Sequence, residues 1–162
     1  MNDVNALQAE GAVEVVAAAS AGVCLMHKQG TPQTMQNQPV YADVVAEVSM
    51  FLSQRMAVLE AAGIARERIV LDPGFGFGKT LAHNLDLMKR LPRLAELGAP
   101  LLAGLSRKSM LGQITGREVG DRKNASVVAA LLAVQRGASI VRVHDVRETV
   151  DALKIMSALN EV

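Results

Sequence analysis

Helical patterns and short β-rich runs alternate along almost the whole chain, and this alternation limits the fold more than any other feature. Val23-Cys24-Leu25-Met26, Ile69-Val70-Leu71-Asp72, Leu101 to Leu105 and Ser139 to Val143 are apolar runs of strand length. Helical patterns cover 9–21, 41–62, 84–97, 107–114, 123–135 and 146–159. In 41–62, Val44, Val45, Val48, Leu52, Met56 and Leu59 recur at helical spacing, and Gly63 follows as a C-terminal cap. Pro92 predicts a break in 84–97. Gly30, Pro32 and Pro39 make 28–39 a polar loop. Helices and strands in strict alternation imply a parallel sheet with crossover helices. Two architectures fit: an open doubly wound sheet, or part of a (β/α)₈ barrel.

Half of the 162 residues are hydrophobic and a fifth charged, which suits a buried core. The formal charge of +1 gives no bulk attraction to nucleic acid. A single cysteine, Cys24, rules out a disulfide scaffold and suits a reducing compartment. The longest uncharged apolar run, Val15 to Met26, is too short to span a bilayer. Glu10 and Glu14 precede it where a signal peptide would carry positive charge. A cytoplasmic protein, with neither membrane nor nucleic acid as partner, is the expectation.

The chemistry gathers at the carboxyl ends of the four strands, where both folds bind ligands. The first runs into His27 and Lys28, the second ends at Asp72, the third runs into Ser106-Arg107-Lys108-Ser109, and the fourth carries Arg142 and leads to His144 and Asp145. Arg142 on a central strand needs an anionic partner or an open, wet cavity; a pair with Asp72 is one way to meet that need. His144 beside it suggests an anion site, against a purely structural role. His27 reads as structural, and His83 as the opening of a helix. Asp72, followed by Pro-Gly, is the strongest single candidate: it could bind a metal, act as a base, or accept two donors from a flat amidine-like group. The loop 72–80 ends in Gly78-Lys79-Thr80 but carries Pro73 where a phosphate-binding P-loop needs glycine, and Lys79 breaks the GxGxxG pattern. Phe75 and Phe77 are half of the four aromatics, so this loop either meets a planar ligand or packs down as a lid. Cys24 reads as inert core. No metal-ligand spacing and no nucleophile elbow is present.

These motifs resemble a known family. Asn2-Asp3-Val4, Cys24-Leu25-Met26-His27, Asp72-Pro73-Gly74-Phe75-Gly76-Phe77-Gly78-Lys79, Ser106-Arg107-Lys108 and Arg142-Val143-His144-Asp145 stand in the order and spacing of dihydropteroate synthase. The resemblance implies an α/β fold, the C-terminal portion of a (β/α)₈ barrel, roughly strands 5–8 with their helices. Residues 1–162 would form one pterin-binding domain whose N-terminal strands, apart from the lip of the fourth, are absent. It also implies a reaction of folate biosynthesis, in which dihydropterin-CH₂-diphosphate and p-aminobenzoate give dihydropteroate and diphosphate, and which sulfonamides block. Asn2 and Asp72 would read the pterin. Lys108 would donate to it. Arg142 would lie against its ring and help hold diphosphate, and His144 would meet the anion. Ser106 would sit near the aminobenzoate carboxylate, and Met26, Gly104 and Phe77 would line the pocket. Lys108, Arg142 and His144 carry the catalytic expectation. The family's Mg²⁺ is expected too, but its protein ligand lies in a first-strand segment not found here, so no metal ligand is named. The absence of that segment and of two mobile loops predicts little or no activity for this chain alone. The other readings are a non-catalytic pterin-binding or interaction module, and a methyltetrahydrofolate methyltransferase-type barrel. A homodimer through the outer helices near the C-terminus is a further expectation.

Overall fold

The structure is a computed structural model and describes residues 1–30 and 39–160. Most of the expected polar loop 28–39, with Pro32, lies outside the described residues. Five strands form one parallel sheet in sequence order: β1 (Asn2–Asp3), β2 (Val23–Met26), β3 (Ile69–Asp72), β4 (Leu101–Ala103) and β5 (Ala138–Val141). Helices α1 (Ala12–Ala18), α2 (Val44–Ala61), α3 (Leu81–Lys89), α4 (Leu91–Ala95), α5 (Ser109–Thr115), α6 (Lys123–Gln135) and α7 (Val146–Asn160) make the crossovers. This α/β arrangement is the barrel portion expected from the sequence. Among the described residues no helix is long and apolar enough to cross a membrane.

Local chemistry sets the element ends. Asp43 opens α2 by accepting the amides of Val45 and Ala46, and Arg90 bridges Asp43 to Asp86. Thr80 and His83 form a capping box at the start of α3. Pro92 falls in the first turn of α4, where its missing amide costs nothing, so the expected break becomes two helices. Several boundaries differ from the sequence reading; α3, for one, starts at Leu81 rather than at 84. The helix expected over 9–21 shrinks to Ala12–Ala18, because Gly11 is left-handed at its start and the chain turns back at Ala19. The strand expected over 101–105 ends at Ala103, and the last strand moves to Ala138–Val141. Arg142 and His144 therefore stand on the loop beyond β5 rather than within a strand.

Alternation along the strands sorts the sheet into two faces. Val23, Leu25, Ile69, Leu71, Leu101, Ala103 and Ala138 are buried and belong to the same core as Leu52 and Leu59 of α2 and Leu87 and Leu91 of α3 and α4. Each fully buried leucine contributes about 2 kcal/mol by removal from water. Val70, Leu102 and Ile140 alternate onto the other face and stay partly or largely exposed. Asp72, at the top of β3, shares their parity. The sheet thus presents one sealed face and one open face, with the polar residues at its carboxyl end.

Candidate functional site

The site starts from the carboxylate of Asp72, which is 1% exposed. Its Oδ1 accepts the Gly74 amide at 2.7 Å and its Oδ2 accepts Arg142 Nη2 at 3.1 Å. Gly74 has φ +65°, and a Cβ there would overlap the carbonyl oxygen of His27. Only glycine lets the chain reverse so tightly over the end of β2. The pair with Asp72 that the sequence left open for Arg142 therefore exists. It does not use up the arginine, whose side chain remains 42% exposed. The guanidinium lies on Gly104, where a Cβ would stand 2.8 Å from Nη2. One edge of a planar cation is anchored and the rest faces the cleft.

Lys108 enters from the turn before α5. Its Nζ donates to the Phe75 carbonyl and lies 4.7 Å from the centre of the Phe77 ring. Burial pushes its amine down to about 8; Asp72 opposes that shift and Arg142 adds to it. A hydroxyl links the next two loops: Ser106 Oγ accepts the His144 amide at 3.2 Å and stands 2.9 Å from His144 Nδ1. Arg107, between Ser106 and Lys108, takes a left-handed backbone with φ +57°. Its side chain grips Asp145 at 2.8 and 3.2 Å, its amide donates to Ser126 Oγ, and its carbonyl accepts from Arg122. The Arg107 guanidinium holds the Asp145 carboxyl below the usual carboxylate range. These bonds lock the 106–108 turn to the 142–145 loop.

A cleft of about 290 Å³ opens at the carboxyl end of the sheet, lined by Phe77, Gly104, Ser106, Lys108, Arg142, Val143 and His144. Six of the nine residues expected to bind substrate line it. Asp72 sits just beneath, bonded to Arg142. Two cations and an imidazole around an aromatic wall suit an anion attached to a flat ring. Met26 and Asn2 are not on this cleft. Met26 is buried level with Asp72, and Asn2 pairs with Cys24, one side-chain layer lower and exposed to solvent.

A family model described as pterin binding enzyme matches residues 1–144. The chain belongs to this family. A dihydropteroate synthase from Neisseria meningitidis serogroup C is 59% identical over 162 residues, covering 98% of this chain and 57% of that protein. The crystal structure of dihydropteroate synthase from Stenotrophomonas maltophilia, with imidazole bound in its active site, matches with a TM-score of 0.96 and 56% identity. It covers 99% of this chain and 61% of that one. The Xanthomonas albilineans enzyme in complex with 7,8-dihydropteroate matches at TM-score 0.93 and 51% identity, over 99% of this chain and 59% of its own. The chain therefore spans rather more than half the length of the relatives it matches.

In the loop 72–80 the two phenylalanines separate. Phe77 faces the cleft, whereas Phe75 is fully buried in the core. Asp72 has a closer amide partner in Gly74 than the Pro-Gly sequence suggested. Lys79, the tail of the apparent phosphate motif, is buried and donates to backbone carbonyls. His27 is buried against Phe51 and Lys79, and burial first, then Lys79, pushes its pKa down to about 3. Burial likewise pushes the Cys24 thiol up to about 12, as an inert core cysteine requires. His83 caps α3 as expected. Sequence reasoning missed Asn84, whose buried amide holds the Gly76 amide and the Lys79 and Thr80 carbonyls. It also missed the Arg107–Asp145 bond. Asn84 opens a helical pattern that also carries Asp86 and Lys89, so nothing in the sequence set it apart.

Proposed function

We propose that this chain binds a dihydropterin at the cleft between Phe77 and Arg142 and serves in dihydropteroate synthesis, a step of folate biosynthesis. The observation that carries this is the buried Asp72 carboxylate directly under a cleft ringed by Lys108, Arg142 and His144. A carboxylate buried beside a flat slot suits the adjacent amino and ring N–H donors of a pterin. Lys108 and the Phe77 ring would flank that ring, while Arg142 and His144 would meet diphosphate. In the reaction the bond between the pterin methylene carbon and the diphosphate oxygen breaks, and the departing oxygen keeps the electron pair. The aniline nitrogen of p-aminobenzoate forms the new C–N bond and gives up a proton. Fixed cations favour the departing anion, and the site otherwise orients its reactants. Ser106 would act chiefly through His144, since its hydroxyl is engaged there. Met26 would pack beside Asp72 under the pocket, and Asn2 would extend the binding surface one layer lower on the sheet.

The described residues do not by themselves fit a magnesium site. No three His, Cys, Asp or Glu side chains among them come together. On this reading the chain alone binds a pterin better than it turns over substrate. The continuous core from Ala6 to Ala138 supports one domain over 1–162, and the buried Cys24 thiol suits the cytoplasm. For the homodimer, a groove of about 420 Å³ between α3, α5 and α6, with exposed Leu85, Ile114 and Val128, offers an apolar surface. Calorimetry with 6-hydroxymethylpterin, with and without diphosphate, tests the reading. Saturable binding strengthened by diphosphate is expected, and no binding by the folded chain would sink it. Adding both substrates separates a binding module, which yields no product, from a synthase.

A further inference from the structure

We infer that Lys79 is a positioning residue: its buried ammonium ties the 74–78 turn to the end of β2 and so sets the Phe77 ring and the Phe75 carbonyl that flank Lys108. The inference deepens the pterin reading and rests on it for the ligand, while its geometry stands apart. Lys79 is 3% exposed. Its Nζ has three partners, each at 3.0 Å: Gly74 O, Phe77 O and His27 Nδ1. An ammonium has three donors, so each acceptor takes one. Two acceptors belong to the turn, and the third belongs to the neighbouring loop.

The other groups of the turn are also held from outside it. Asn84 accepts the Gly76 amide at 2.7 Å, the Tyr41 hydroxyl donates to Gly78 O at 2.8 Å, and Lys108 donates to Phe75 O. Phe77 N closes the turn onto Gly74 O at 3.0 Å. Gly74 and Gly78 are left-handed where a Cβ would strike the backbone of His27 and Gln29. The turn is thus pressed onto residues 27–29, the segment just after β2, and Lys79 grips two of the turn's carbonyls at once. Lys79 itself does not line the cleft. It acts on the cleft only through Phe77 and, one step further, through Lys108.

A buried lysine without a carboxylate in contact is costly, and such a cost persists where the residue does something for the fold or the site. Burial lowers the Lys79 amine to about 7, Asp72 favours its charged form, and Lys108 opposes it. The groups facing it are His27 from the loop after β2, Asp72 from β3 and Lys108 from the turn before α5. Tyr41 reaches the same turn, with His83 of α3 packed on its ring.

The test uses the full chain with Lys79→Met and Lys79→Gln, read by amide hydrogen exchange and calorimetry. In both variants, protection at Gly76 and Phe77 should fall about tenfold or more while protection in β2 and β3 stays unchanged. Affinity for 6-hydroxymethylpterin should fall by a similar factor. In the unmodified chain, opening the turn returns Lys79 to water and lets it regain its proton, so the same protection, corrected for intrinsic exchange, should rise as pH climbs above about 7, and Lys79→Met should lack that step. Unchanged protection at Gly76 and Phe77 in folded variants overturns the inference. If neither variant folds, a flat pH profile in the unmodified chain overturns it. Failure of the unmodified chain to bind pterin defeats the pterin reading, while the exchange data still decide the role of Lys79.

Discussion

Asp72 holds the cleft together through two different bonds. One oxygen fixes the turn that follows β3, and the other fixes a guanidinium from the far side of the sheet. Asp72→Asn keeps an acceptor for Gly74 but removes the charge opposite Arg142. Pterin affinity is expected to fall about tenfold or more, and stability by about 1–3 kcal/mol, measured by calorimetry and urea unfolding. Arg142 is half open, so water can hydrate it when its partner goes, which keeps the stability loss moderate. Its candidacy was legible in the sequence because a charged residue at the end of an apolar strand, followed by Pro-Gly, has few bland explanations. Arg142 and His144 were legible for the same reason. Lys79 was not, since Gly-Lys-Thr after a strand has the look of a phosphate loop while its ammonium points inward. The Arg107–Asp145 bond joins residues 38 apart on different loops, and no local pattern announces such a pairing.

At the level of elements, the 74–78 turn and the start of α3 make one unit. Thr80 caps α3 by accepting the His83 amide, and Thr80→Ala is expected to cost about 1 kcal/mol in urea unfolding. Gly74→Ala is expected to cost more, about 3 kcal/mol. It combines a left-handed backbone with a Cβ driven into a backbone carbonyl that cannot move aside. The strands and the long helices were largely readable, because hydrophobic period reflects which side is buried. Lys123–Gln135 has the expected bounds, and α2 begins where Asp43 can cap it. The edges that shifted at 9–21, 101–105 and 139–143 lie where backbone turning rather than burial ends the element.

For the molecule as a whole, two predictions follow from buried charge and exposed surface. His27 is neutral in the fold, with a pKa of about 3 against 6.5 for the free side chain. Between those values the unfolded chain binds the extra proton, so stability is lost as pH falls from 6.5 toward 3. Lys79 titrates at about 7 in the fold against 10.5 when free, so its contribution rises with pH from 7 toward 10.5. The urea midpoint is therefore expected to climb from about pH 5 to about pH 9, and Lys79→Met should flatten the upper half of that climb. The groove between α3, α5 and α6 concerns assembly. The chain is expected to sediment above its 17.2 kDa monomer mass, and Val128→Glu, which places a charge in the apolar groove, should return it to monomer.

The bond between Asp72 and Arg142 spans 70 residues of sequence and reaches from β3 to the loop beyond β5. A contact that long closes a large loop and forms only after the intervening strands have docked. The cleft is accordingly among the last features to assemble during folding. No early intermediate that lacks β5 can present its guanidinium to a ligand. The recovery of pterin binding after dilution from denaturant would then lag behind the recovery of helical signal, and the delay would measure how slowly the last strand finds its place.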